Sequence, residues 1–196
     1  MSEHANEHGN EHGTDAVVKV GGALLSLGDA LPRTLSALER LSIDHSFVVI
    51  PGGGPFADAV RHVHDRHALT PSAAHWMAIL GMDQYAILLA SRIGNGELVH
   101  RRSEIAPAHA RGSIPVLAPY RWLREADPLP HSWDVTSDSI AAWLAAEIGA
   151  PRLILIKPTI GDRHAMVDRY FERACPPSLR CSILTSDMLT GSWFPE

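Results

Sequence analysis

Lysine is nearly missing from this chain of 196 residues: its 17 basic side chains divide into 15 arginines and two lysines, Lys19 and Lys157. Cysteine is as scarce, with Cys175 and Cys181 the only two, so neither a disulfide framework nor a cysteine-rich metal site organises the fold. The pair flanks Pro176-Pro177 and matches no redox or metal spacing, which predicts reduced thiols in a cytoplasmic protein. Aromatic residues make up 6%, and no apolar run approaches the ~20 residues that a membrane helix needs. Basic charge is not in excess either. Lys+Arg 17 against Asp+Glu 22 leave a formal charge of −5, and the arginines are scattered, which argues against a nucleic-acid protein held by phosphate contacts. The opening residues lack the basic stretch followed by an apolar one that marks a secretory signal.

What remains is globular composition, 45% hydrophobic and 20% charged, at a length that suits one domain. His4, His8 and His12 recur every four residues among polar side chains and glycines with nothing to bury. Residues 1–14 are therefore expected to form a disordered His-rich tail, and residues 15–196 a single domain. From there, short aliphatic runs alternate with helical patterns. Ala16–Val20, Phe47–Ile50, Ile114–Ala118 and Arg152–Lys157 read as strands. Helices are expected from Leu31 to Leu41, from Pro55 to about His67, and from Ser72 to Ile93 with Met77, Leu80, Gln84 and Leu88 along one stripe. A further helix is capped by Thr136-Ser137-Asp138-Ser139 and carries Ile140, Trp143, Leu144 and Ile148 on one face. The alternation predicts a three-layer α/β/α sandwich around a mostly parallel sheet, with ligands beyond the carboxyl ends of the strands.

Two glycine clusters stand at such ends, Gly21-Gly22 and Gly52-Gly53-Gly54. Glycine allows close backbone approach, and a following helix N-terminus favours an anion, although tight turns alone would also use these residues. Neither cluster matches a P-loop or a dinucleotide fingerprint. Both lysines belong to strands, Lys19 inside Val-Val-Lys-Val-Gly-Gly and Lys157 closing Leu-Ile-Leu-Ile-Lys-Pro. A chain that otherwise uses arginine keeps lysine where a compact point charge suits a phosphoryl group. Two lysines around one phosphoryl would repel each other unless a carboxylate lay between them, and Asp138 at the start of its helix is the candidate. His62, His64 and His67 read as a solvated helix face rather than a metal site, His75 and Trp76 as packing residues, and Arg101-Arg102 as a solvated turn. His131 and Trp133, on the loop before Asp138, could enclose a ring-bearing amine.

These segments together resemble the amino acid kinase superfamily over Ala16 to Gly161. The motifs are VVKVGGALLSLG, VVIPGGGPFADAVR and HSWDVTSDSIAAWLAAEIGAPRLILIK. His131 to Ser139, with the ending Gly191-Ser192-Trp193-Phe194-Pro195, resembles the short members that phosphorylate an aminomethylfuran methyl phosphate in methanofuran biosynthesis. The resemblance implies catalytic roles for Lys19, Asp138 and Lys157, with Gly21, Gly22 and Gly161 at the nucleotide. It puts Gly52, Gly53, Gly54, Ser137 and Ser139 beside the acceptor substrate, where His131 and Trp133 are also expected. It implies ATP carrying Mg²⁺, no metal site of the protein's own, transfer of the γ-phosphoryl to a small phosphate ester to give a diphosphate, and a homo-oligomer without nucleic-acid or membrane partners. The chain departs from the family at Lys157-Pro158-Thr159-Ile160-Gly161, where most members read Thr-Asp-Val-Asp-Gly, and the C-terminal lobe is expected to be short. A non-catalytic protein of the same fold that binds an anion or a partner is the alternative.

Overall fold

A computed structural model describes residues 13–189. The expected tail, apart from its last two residues, and the Gly191 to Pro195 ending lie outside the described residues. The chain runs through β1 (Ala16–Val20), a 3-10 turn (Gly22–Ser26), α1 (Ala30–Leu41), β2 (Phe47–Pro51), α2 (Gly54–His67), α3 (Pro71–Arg92) and β3 (Gly96–Val99). It continues with α4 (Arg102–Ala110), β4 (Ile114–Leu117), α5 (Tyr120–Ala126), α6 (Ser137–Ile148), β5 (Arg152–Ile156), α7 (Arg163–Met166), α8 (Phe171–Ala174) and β6 (Arg180–Leu184). The six strands form one sheet in the order β3-β4-β2-β1-β5-β6, and every pairing is parallel. None of the described helices is long and apolar enough to cross a membrane.

β1 and β2 are buried at all five positions, as expected of strands with helices on both faces. Side-chain alternation divides the core in two. Ala16, Val18 and Val20 pack with Leu35 and Leu38 of α1 and with Tyr85 and Leu89 of α3. Val17 packs on the opposite face with Leu153, Leu155 and the α6 residues Ile140 and Leu144. Lys19 shares the parity of Val17, so β1 delivers its one charged side chain to the α6 face. β1 lies between β2 and β5, at the point where the chain leaves one half of the sheet for the other. Such a switch point opens a crevice beyond the strand ends.

The strands and helices anticipated from the sequence are present within one or two residues. β3, β6, α4, α5, α7 and α8 are additional. β3 and β6 are the edges of the sheet, and edge strands bury less and so carry a weaker apolar signature: only Val99 of β3 is buried, and β6 is half-buried to exposed throughout. The Met77 and Leu80 stripe of α3 is 37% and 42% exposed, and the helix turns Ala74, Ile79, Met82, Tyr85 and Leu89 inward. α3 is apolar nearly all round, so periodicity alone does not mark its buried side. Cys175 and Cys181 meet where the chain passes from α8 into β6, with their sulfurs 2.7 Å apart.

The two glycine clusters touch each other. A Cβ on Gly22 would stand 2.1 Å from the Gly54 nitrogen, and one on Gly52 would stand 2.7 Å from the Gly22 nitrogen. Gly54 also has φ +52, in the region that disfavours a side chain. Close approach of the β1 and β2 turns is thus the demonstrated reason for Gly22 and Gly52. Gly22→Ala is expected to destabilise the fold by about 3 kcal/mol through overpacking. Gly28→Ala, where φ is +44 but nothing lies within 4 Å of the added carbon, should cost only about 1 kcal/mol. Urea denaturation of the two variants checks the difference, and equal losses would contradict the contact.

Candidate active site

The first residue of consequence is the lysine that β1 sends to the α6 face. Lys19 Nζ donates to Asp138 Oδ1 at 2.8 Å, and Lys157 Nζ donates to Asp138 Oδ2 at 2.6 Å. Two lysines separated by 138 positions in the chain therefore share one carboxylate. Lys19 and Asp138 are each only 4% exposed, and Lys157 is half-buried. Burial by itself would raise the Asp138 pKa, but the two ammonium groups outweigh it and hold the carboxyl below the ordinary carboxylate range. Burial and the neighbouring Lys19 ammonium draw the Lys157 pKa down, against the pull of Asp138. Two ammonium groups thus touch one carboxylate, with Asp168 the next carboxylate to act on Lys157. The arrangement is built to receive an anion.

Asp138 is held in turn by its own helix end. Thr136 caps α6 and accepts from the Asp138 backbone N–H. Behind this turn lies Asp168, which carries no motif in the sequence. Asp168 Oδ2 accepts from Thr136 N at 2.9 Å, Thr136 Oγ1 at 2.8 Å and Ser139 N at 3.1 Å. Its Oδ1 accepts from Ser139 Oγ and from Tyr170 N. One carboxylate thus fastens both sides of Asp138 to the segment after β5. The signal for it is tertiary, since 30 residues separate the partners.

A cavity of about 430 Å³ opens over the lysines and is bordered by α2, α3 and the loop before α6. Gly54, Ala57, Arg61 and His64 of α2 line it. They recur at spacings of three and four, so they form one stripe that begins at the glycine turn. From α3 come Ala74, His75, Ala78, Ile79 and Met82. The loop contributes His131, Trp133 and Asp134. His75 and His131 stack with ring centroids 4.3 Å apart, and His131 Nε2 meets Asp127 at 2.8 Å. Burial and the adjacent His131 push the His75 pKa down to about 4, so its ring is neutral at pH 7. Asp83, on the same helix, is pushed up to about 6 by burial while its Oδ1 accepts from Tyr120 N.

Of the residues singled out from the sequence, Lys19, Gly22, Gly53, Gly54, His131, Trp133, Ser137, Asp138 and Lys157 border this one cavity. Gly21, Gly52, Ser139 and Gly161 are not among the residues that line it. Gly21 packs its α-carbon against the Ile156 carbonyl, and Ser139 is fully buried with its hydroxyl given to Asp168. Gly161 is exposed, its N–H on Met166 Sδ. His64 corrects the reading of a uniformly solvated histidine face: His62 and His67 are exposed, whereas His64 turns into the cavity. His75 likewise packs and lines the cavity at once. Arg61 and His64 were legible in principle, by continuing the α2 stripe from Gly54.

The family model for the amino acid kinase family matches residues 16–160. The chain belongs to that family. It is 30% identical over 141 residues to the [5-(aminomethyl)furan-3-yl]methyl phosphate kinase of Methanocaldococcus jannaschii, a match that covers 71% of this chain and 63% of that protein. The chain thus spans less than two thirds of that relative's length. Among solved structures, the uridylate kinase of Archaeoglobus fulgidus superposes with a TM-score of 0.57 at 19% identity, over 75% of this chain and 65% of that one. The UMP kinase of Ureaplasma parvum superposes with a TM-score of 0.60 at 16% identity, over 76% and 70%. These likenesses establish the amino acid kinase fold.

Asp138→Asn leaves two ammonium groups facing a neutral amide. The expected loss is roughly 3–5 kcal/mol of stability, as for a broken buried ion pair. Because the folded pKa of Asp138 lies below its unfolded value, the wild-type contribution is present above the unfolded pKa and disappears as pH falls through the folded one. Denaturation followed from pH 7 downward should show this acid limb for the wild type and a flatter one for the variant. An equally steep limb in Asp138→Asn would assign the dependence to other carboxylates.

Proposed function

We propose that this chain is a phosphotransferase that moves the γ-phosphoryl of ATP onto the phosphate of a small ester, giving a diphosphate in methanofuran-type cofactor synthesis. The observation that carries the reading is the pair of ammonium groups on one buried carboxylate at the mouth of the glycine turns. In phosphoryl transfer the protein chiefly positions the reactants and supplies cations to the charge on the equatorial oxygens. Asp138 keeps Lys19 and Lys157 within a few ångströms of each other despite their repulsion. Their unbalanced positive charge fits the phosphates of a nucleotide and an acceptor. Kinship with a kinase named for a phosphate ester supports the acceptor class.

The chemistry asks little more of the side chains. An acceptor phosphate oxygen is already anionic at pH 7, so no general base is required. The bond from that oxygen to the γ-phosphorus forms, the bond from the γ-phosphorus to the β,γ-bridging oxygen breaks, and ADP departs with the electron pair. Lys19 and Lys157 stabilise the transferring group, Gly22 borders the cavity without a side chain in the way of the donor phosphates, and Gly53 and Gly54 open α2 towards the acceptor phosphate. Both oxygens of Asp138 are taken by the lysines, so Mg²⁺ would arrive on the nucleotide, where it neutralises phosphate charge. Lys157 stands where most family members have threonine, which replaces a neutral hydroxyl by a cation at the nucleotide side.

Lys157→Ala should lower kcat by about 10²–10³ and change the acceptor KM much less; a coupled ADP-release assay measures both. Lys157 acts in its charged form, and its pKa is drawn below the 10.5 of an exposed lysine. Wild-type kcat should therefore fall as pH rises through that lowered value, at a pH below 10.5. Binding separates this reading from that of a non-catalytic anion binder. Mg·ATP at about 100 times its Kd should stabilise the native state by about 2.7 kcal/mol. If phosphate esters raise the melting temperature and Mg·ATP does not, the kinase reading fails and anion binding stands.

A further inference from the structure

The hydrogen bonds of Asp168 account for its oxygens but not for its charge. Its donors are Thr136 N, Thr136 Oγ1, Ser139 N, Ser139 Oγ and Tyr170 N, and every one of them is neutral. Asp138 is the opposite case, with an ammonium on each oxygen. To fasten a helix start, the neutral amide of asparagine serves about as well as a carboxylate. The macrodipole of α6 does favour negative charge near its N-terminus, yet Asp138 already stands in that first turn. The Asp168 charge therefore has work left over, and its place says where. Thr136 and Ser139 bracket Asp138 in the chain, so Asp168 lies behind the carboxylate that both lysines touch. Burial and the Lys19 ammonium draw the Lys157 pKa down, while Asp138 and then Asp168 act against them.

Placement matters here as much as sign. A carboxylate bonded to either ammonium from the cavity side would compete with a phosphate for its N–H groups. Asp168 is not among the residues that line the cavity, and it spends its hydrogen bonds on α6 and Tyr170. Its charge still reaches the lysines, because charges act more strongly on one another where water is excluded. We propose that Asp168 is a positioning residue for the phosphoryl transfer and the second countercharge of the lysine centre: it fixes the Asp138 turn by hydrogen bonds and offsets the repulsion between Lys19 and Lys157 without occupying either. This assignment rests on the proposed transfer and adds to it a residue that stands behind the reacting groups. The other titratable side chains on the cavity wall are Arg61, His64, His75, His131 and Asp134. They are the same with and without the Asp168 charge, so a difference in how Lys157 titrates reports Asp168.

The chain has only two lysines, which makes a direct test possible. In the full-length protein, isotopically labelled at lysine, NMR follows the two Cε resonances through a pH titration, and Lys157→Arg assigns them. Asp168→Asn and Asp168→Ser both remove the charge, and the first keeps an acceptor for Thr136 and Ser139. In both, Lys157 should lose its proton at a lower pH than in the wild type. Ser139→Ala loosens the same turn but keeps the charge, and should leave the Lys157 midpoint in place. Kinetics with Mg·ATP and [5-(aminomethyl)furan-3-yl]methyl phosphate should show the alkaline fall of kcat moving with the resonance in Asp168→Asn. Asp168→Ser, which also gives up most of the hydrogen bonds, should lower kcat by about 10²-fold through misplacement and change the acceptor KM much less. The inference is overturned if the neutral variants leave the Lys157 midpoint where it was, or if Ser139→Ala moves it as far. The resonances need no turnover, so they separate the two claims. A shifted midpoint in a protein that transfers no phosphoryl group sinks the kinase reading and leaves the countercharge. Transfer with an unmoved midpoint does the reverse.

Discussion

Two ammonium groups on one buried carboxylate are the constraint around which the rest of the site is arranged. A single lysine against Asp138 would be a neutral pair that closes the site. A second lysine leaves more positive than negative charge around Asp138, which suits an anion in the cavity above it. The cost of that imbalance is spread over several elements. β1 supplies Lys19 from the middle of a fully buried strand, β5 supplies Lys157 at its end, and the first turn of α6 supplies Asp138. Because β1 pairs directly with β5, with Lys19 opposite Leu155, the distance between the two lysines is set by sheet geometry rather than by flexible side chains.

The support behind Asp138 follows the same logic. A carboxylate that must hold two cations cannot wander, and a helix start is the least constrained part of a helix. Asp168 removes that freedom by taking the N–H and hydroxyl groups of both Thr136 and Ser139. The segment after β5 therefore contributes to the site although only Lys157 of its residues faces the cavity. This gives a structural meaning to a stretch that lacks the family's usual acidic motif: a carboxylate further along it, Asp168, holds the helix start that holds the lysines. On the opposite side, contact between the two glycine turns fixes the entrance. Gly22 sits against Gly54 because neither has a side chain, and α2 can begin directly over the ammonium groups.

From that entrance the cavity becomes progressively aromatic. Gly54, Ala57, Arg61 and His64 descend one face of α2, from bare backbone to methyl, guanidinium and imidazole. The loop carrying His131 and Trp133 closes over them. The cavity thus has a lysine-lined end and a ring-lined end. His75, kept neutral by burial, lets His131 stack on it without adding charge to a site that already has an excess.

Much of this was determined by the sequence alone. Alternating aliphatic runs and amphipathic helices specify the parallel sheet, since buried strands must be apolar on both faces. The scarcity of lysine marked Lys19 and Lys157, because a charged residue inside a buried strand needs a reason that a surface arginine does not. Local helix chemistry marked Asp138. The edge strands escaped notice because they bury too little to impose a pattern, and the buried side of α3 was not legible because an all-round apolar helix has no periodic signal. Only the tertiary structure decided the convergence of the three charged groups, the role of Asp168 and the inward turn of His64. Those depend on which strand lies beside which, and on contacts across 19 to 119 residues of chain, and no local propensity encodes distances of that kind.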